Sequence, residues 1–121
     1  MNLLFLGDVV GISGCTKLLD NLAIQIKKKK IDFVIVNGEN ADETGVGLTK
    51  EICEKFFNCG VNVITSGNHV WDQKDIMKYI EIENRLLRPK NLFEPAPGKG
   101  FEIYNTENNL KIGVLNLMGN V

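Results

Sequence analysis

The sequence predicts an α/β fold with a parallel sheet at its start, and three observations predict it. Short apolar runs near residues 2–6, 31–36 and 61–65 alternate with segments whose apolar residues recur at helical spacing. Each of these runs ends in a glycine-bearing polar cluster, as a strand entering a turn does. Two further strand-like runs flank a polar turn late in the sequence, which adds a hairpin.

Taken in order, residues 2–6 form the first strand, bounded by Gly7-Asp8. From about Thr16 to Lys30, Leu18, Leu19, Leu22, Ala23 and Ile26 trace one face of a helix. The lysines from Lys27 to Lys30 read as a solvated last turn favoured by the helix dipole rather than as a phosphate patch. Ile31 to Val36 is the second strand, and it runs into Gly38-Glu39-Asn40. After the loop from Ala41 to Gly47, Thr49 caps a helix that reaches about Asn58, with Gly60 as its stop. Val61 to Thr65 is the third strand and ends at Ser66-Gly67-Asn68-His69. Asp72 and Asp75 flank the start of a third helix that runs to about Ile82. Beyond Arg88-Pro89 the pattern changes to an irregular loop holding Pro95, Pro97, Gly98 and Gly100. Phe101 to Tyr104 and Lys111 to Leu117 are the hairpin strands around Asn105–Asn109.

Composition bounds the function. The 121 residues can bury a core, with 44% hydrophobic and 24% charged residues as in ordinary globular chains. A formal charge of −1 argues against bulk electrostatic binding to nucleic acid or anionic membrane. No run approaches the ~18 apolar residues of a membrane span, and Met1–Asp8 lacks the basic region of a signal peptide. The cysteines Cys15, Cys53 and Cys59 are odd in number and form no C-x-x-C pair, which points to a reducing cytoplasm and to small buried side chains.

In a parallel sheet, ligands gather beyond the carboxyl ends of the strands. Gly7-Asp8, Gly38-Glu39-Asn40 and Gly67-Asn68-His69 would therefore converge. Alone, Gly7-Asp8 and Gly38-Glu39-Asn40 read more often as a turn or a helix N-cap than as ligands, and Gly67-Asn68-His69 is the more informative of the three. Together they bring two carboxylates, two side-chain amides and the chain's single histidine to one edge. Neighbouring carboxylates repel unless a proton or cation lies between them, and a divalent metal suits this oxygen-rich set. The histidine could be a metal ligand or a general acid.

Six stretches in order carry a family resemblance: Phe5–Gly11, Val36–Ala41, Gly45–Thr49, Thr65–Asp72, Leu87–Pro89 and Val114–Gly119. With them the sequence resembles the YmdB-like branch of the calcineurin-like metallophosphoesterases. The resemblance implies a metal-dependent phosphodiesterase acting on a small phosphodiester or cyclic nucleotide through a metal-activated water. It implies two divalent metals, iron or manganese. Asp8 would bind one metal, Glu39 would bridge both, Asn40 would complete the first sphere and Asn68 would bind the second. His69 would be the general acid, or would stabilise the leaving group, rather than bind metal, and the Gly45–Thr49 and Arg88-Pro89 loops would border the substrate entrance.

It also implies the N-terminal half of a two-sheet sandwich, with residues 1–121 as an incomplete domain. The family's second half supplies three further histidines, and this sequence has none besides His69. Partial or weak metal binding is therefore expected, as is an apolar face left for a second half or a second chain. Val70 stands where the family more often has threonine. A non-catalytic half-domain needing a partner chain is the alternative expectation. A generic nucleotide-binding module fits less well, because neither G-x-G-x-x-G nor G-x-x-x-x-G-K-[ST] occurs.

Overall fold

A computed structural model describes residues 1–119. Asn120 and Val121, the last positions of the expected 1–121 domain, lie outside the described residues. The elements run β1 (Leu3–Leu6), α1 (Gly11–Lys29), β2 (Phe33–Asn37), α2 (Lys50–Asn58), β3 (Val63–Thr65), α3 (Ile76–Ile82), β4 (Leu86–Leu87), β5 (Phe101–Asn105) and β6 (Lys111–Leu115). Strands β1 to β4 form a parallel sheet in the order β1-β2-β3-β4, and β5 and β6 form a separate antiparallel hairpin.

Side chains alternate across a strand, so the register assigns each residue to a face. Leu3 pairs with Phe33, Phe5 with Ile35, Ile35 with Val63 and Thr65 with Leu87. These residues share one face. Leu4, Leu6, Val34, Val36, Ile64 and Leu86 share the other. The second face takes the helices: Leu18 and Leu22 of α1, Cys53 and Phe56 of α2, and Ile76 and Ile80 of α3 join it in one buried cluster. The first face takes the hairpin. Ile112 and Val114 of β6 pack with Phe33, Ile35, Val63 and Leu87, and Tyr104 lies against Phe33.

Helix α1 begins earlier than the sequence pattern suggests. Gly11 adopts φ +58° and opens the first turn directly after Val10, and a methyl group on Gly14 would crowd Val9. Glycine-rich turns read as loop, yet here they let the helix start tight against the strand. The lysine run behaves as expected. Lys27, Lys28 and Lys29 form an exposed last turn, and Lys30 closes it in the left-handed conformation with Ile31 N–H donating to Ile26 O. Thr49 caps α2 by accepting from Ile52 N–H. Asp75 precedes α3 but does not cap it; its carboxylate accepts from Lys50 N–H instead, joining α3 to the start of α2. Strand β4 is an addition to the expected order, only two residues long and fully buried.

The three cysteines are free thiols. Burial pushes the Cys53 thiol far up, which fits a small core side chain rather than a nucleophile. Among the described residues, no helix is long and apolar enough to cross a membrane.

Candidate active site

The parallel register levels the ends of the first three strands, with Leu6 opposite Val36 and Asn37 opposite Thr65. Backbone pairing continues just past them. Val9 N–H donates to Asn37 O and Gly38 N–H to Thr65 O, both at 3.0 Å, and Gly11 N–H reaches Asn40 O at 2.9 Å. The segments carrying Asp8, Glu39-Asn40 and Asn68-His69 therefore leave the same edge of the sheet.

Asp8 and Asn40 meet directly. Asn40 Nδ2 donates to Asp8 Oδ2 at 2.7 Å, which commits that amide N–H and leaves Asn40 Oδ1 for a ligand. Glu39 is held by its backbone on two sides: its N–H donates to Asn37 Oδ1, and its carbonyl accepts from Gly47 N–H at 2.8 Å. Its carboxylate lies against Gly67, where any side chain would overlap it. Glu39 Oε2 is buried and has no hydrogen-bond partner. A buried carboxylate oxygen without a donor is costly, and a cation is the natural complement to it. The residue before Asn68 thus forms the floor under Glu39, while Asn68 itself is exposed.

His69 is partly exposed, and its Nδ1 lies 2.7 Å from Asp72 Oδ2. An ionised carboxylate only accepts, so Nδ1 carries the shared hydrogen and Nε2 is left for other chemistry. Asp72 enters the sequence reading as a helix-flanking acid and as the end of a matching stretch, with no role at the site. The signal for its second role is a histidine and an aspartate three residues apart in one turn. Among the described residues, no three His, Cys, Asp or Glu side chains gather in a metal-holding group. Two of the four expected donors are amides, so the fit to a metal rests on the unpartnered Glu39 oxygen and, separately, on the Asp8–Asn40 pair.

With that geometry in view, residues 4–121 match the profile of the YmdB-like protein family. The chain belongs to that family. It is 41% identical over 119 residues to the 2′,3′-cyclic-nucleotide 2′-phosphodiesterase of Bacillus subtilis (strain 168), covering 98% of this chain and 44% of that protein. The crystal structure of a hypothetical protein from Thermus thermophilus superposes with a TM-score of 0.89 at 33% identity, covering 98% of this chain and 45% of that one. A Mycoplasma pneumoniae protein described as a novel phosphatase superposes with a TM-score of 0.84 at 38% identity, covering 95% and 42%. The chain thus spans less than half the length of these relatives.

Two motifs of this YmdB-like chain turn out to be braces. In the Gly45–Thr49 loop, Gly45 and Gly47 sit at φ +80° and +85°, and Gln73 Nε2 donates to Val46 O at 3.0 Å. Since Gly47 also holds Glu39 O, the loop connects the Glu39 segment to the one carrying His69. Arg88 is only 3% exposed. Its guanidinium donates to the carbonyls of Pro89, Ala96 and Pro97 and to Glu94 Oε1, which pins the proline loop. Asn116 enters the sequence reading only as part of a matching stretch. It is buried, and its Nδ2 donates to Ser66 O and Leu87 O, which fixes the backbone just before Gly67.

Proposed function

We propose that this chain carries the first part of a metal-dependent phosphodiesterase site, with Asp8, Glu39, Asn40 and Asn68 as metal-binding residues and His69 as general acid. The observation that carries the reading is the buried, unpartnered Glu39 oxygen, on the segment whose next residue, Asn40, pairs with Asp8. Divalent metal held there, iron or manganese, would supply Lewis-acid polarisation of the phosphoryl group and an activated water. Gly67 leaves room for the Glu39 carboxylate, and the Gly47 contact fixes that residue's backbone. Asp72 orients the His69 ring, and His69 gives a proton to the departing oxygen. The substrate class is a small phosphodiester of the cyclic-nucleotide type, supported by the name of the Bacillus subtilis relative. Free cysteines throughout fit a reducing cytoplasm.

With a single histidine in the sequence, the domain formed by residues 1–121 is incomplete, and metal binding by this chain alone is partial. A second reading follows from the 44% coverage of the relative: the chain is a half-domain whose turnover requires a second polypeptide. Elemental analysis and hydrolysis of a chromogenic phosphodiester with added manganese or iron test the first reading. Weak, metal-dependent turnover lost in Asp8→Ala and Glu39→Ala supports it. Absence of both bound metal and turnover at high chain concentration refutes it for the chain alone and favours the half-domain.

A further inference from the structure

The buried amide of Asn116 belongs to the hairpin layer, yet what it holds is the peptide beside Glu39. Asn116 directly follows β6, and its Nδ2 donates at 2.7 Å to Ser66 O and at 3.0 Å to Leu87 O. The two acceptors do not depend on it equally. Leu87 O also takes the Ser66 N–H at 3.0 Å and the Ser66 hydroxyl at 2.9 Å. For Ser66 O, Asn116 is the single donor among the described residues. That oxygen belongs to the peptide joining Ser66 to Gly67. The Glu39 carboxylate rests so closely on Gly67 that any side chain there would overlap Glu39 Oε2, and Asn68 is the next residue on. One peptide plane thus sets both the floor under Glu39 and the stem of Asn68. Asn116 itself is clamped. Its N–H donates to Gly100 O at 2.9 Å, and its carbonyl accepts from Lys90 N–H at 2.8 Å. Further along, the Asn91 side chain pairs with both the N–H and the carbonyl of Met118. A primary amide suits the post, because one nitrogen with two N–H groups bridges two carbonyls without burying a charge.

We propose that Asn116 is a positioning residue for the candidate metal site: by fixing the Ser66–Gly67 peptide it sets the Glu39 carboxylate and Asn68 relative to each other. The inference deepens the phosphoesterase reading and rests on Glu39 and Asn68 as metal-binding residues. It gives a residue of the hairpin layer control over a site built on the ends of the parallel strands. Loss of the amide acts on one place. Leu87 O keeps two donors, whereas Ser66 O, on a residue 3% exposed, is left with none. A buried carbonyl without a donor is costly, so that peptide turns or admits water, and Gly67 moves with it. The floor under Glu39 then shifts while β3 and β4 stay paired through Ser66 N–H and its hydroxyl.

The test titrates manganese(II) into the 121-residue chain, reads the free ion by electron paramagnetic resonance, and works at a temperature where every variant is folded by circular dichroism. Asn116→Ala should weaken binding by about tenfold, the lower end of what loss of a supporting hydrogen bond costs a metal site. Ile112→Ala is the control, since Ile112 is buried earlier on the same strand, in the cluster that seats the hairpin. It should lower Tm at least as much and leave the affinity nearly unchanged. Equal weakening by the two variants, or by neither, would overturn the proposal. Should Asn116→Ala fail to fold, Asn116→Gln, which keeps the donor but moves it by a methylene, takes its place. A native chain that binds no manganese would count against the phosphoesterase reading for this chain, and NMR then decides the positioning role. The carbon-13 signal of the Glu39 side-chain carboxyl should move in the Asn116 variant and not in Ile112→Ala. An unmoved Glu39 signal would overturn the proposal.

Discussion

The two faces of the parallel sheet are finished to different degrees. On the helical face, Val34, Val36, Ile64 and Leu86 are sealed by α1, α2 and α3, with Phe56 and Ile76 fully buried. On the other, the hairpin covers Phe33, Ile35, Val63 and Leu87 but leaves Leu3 and Phe5 open. The hairpin also turns an apolar surface of its own outward. A two-stranded ribbon has little stability by itself, so this one depends on Ile112 and Val114 seated on the sheet. The difference teaches that the helical layer is a core in its own right, whereas the hairpin layer leaves apolar side chains on both strand pairs open to solvent.

The sharpest way to break the comparison is to hollow each side in turn. Phe56→Ala removes a fully buried ring where α2 meets the sheet. It should cost about 3–5 kcal/mol by chemical denaturation. Leu115→Ala, at 54% exposure on the outer face of the hairpin, should change the stability of the chain alone by less than about 0.5 kcal/mol. Comparable losses from the two would show that the outer hairpin face is already buried against something.

Arg88→Ala tests how the hairpin layer is tied down. It removes four hydrogen bonds from a side chain 3% exposed and leaves the carbonyls of Pro89, Ala96 and Pro97 short of a donor. A loss of about 2–4 kcal/mol is expected, mainly through release of the 94–97 loop, which hydrogen exchange would locate. Arg88→Lys should recover little, because one ammonium cannot reproduce the planar fork. An effect below that of Leu115→Ala would mean the loop is held by other contacts.

The order β1-α1-β2-α2-β3-α3 was legible because apolar runs, helical spacing and glycine punctuation agree over those residues. Strand β4 was not: two residues between Arg85 and Arg88 offer no periodicity, and the pairing of Leu86 with Ile64 is a tertiary fact. Gly11 and Gly14 concealed the start of α1, since their loop-like character serves a close approach to Val9. Convergence of Asp8, Glu39 and Asn40 could be anticipated from the rule that parallel strands present their carboxyl ends together. What each side chain then does was hidden. The unpartnered Glu39 oxygen depends on Gly67 at the end of another strand, and the His69–Asp72 contact depends on a turn. Arginine is seldom buried, so nothing in the sequence marked Arg88 as the brace of the proline loop.

The smallest effect expected concerns acid. Glu83 closes α3 and takes two guanidinium hydrogen bonds from Arg85, whose plane also stacks over Phe57 at 3.9 Å from the ring centre. The hydrogen bonds from Arg85 hold the Glu83 carboxyl below its ordinary value of 4.5, against the opposing effect of burial. A depressed carboxylate stabilises the folded state above its unfolded pKa, and that contribution is lost as the pH falls through the folded value. Stability from this pair should therefore be constant near neutrality and decline below pH 4.5. Because Arg85 is half exposed, its size is under about 1 kcal/mol. Denaturation curves at pH 7 and pH 3 should differ less for Glu83→Gln than for the native chain, by no more than that amount. An unchanged difference would move the acid sensitivity to other carboxylates.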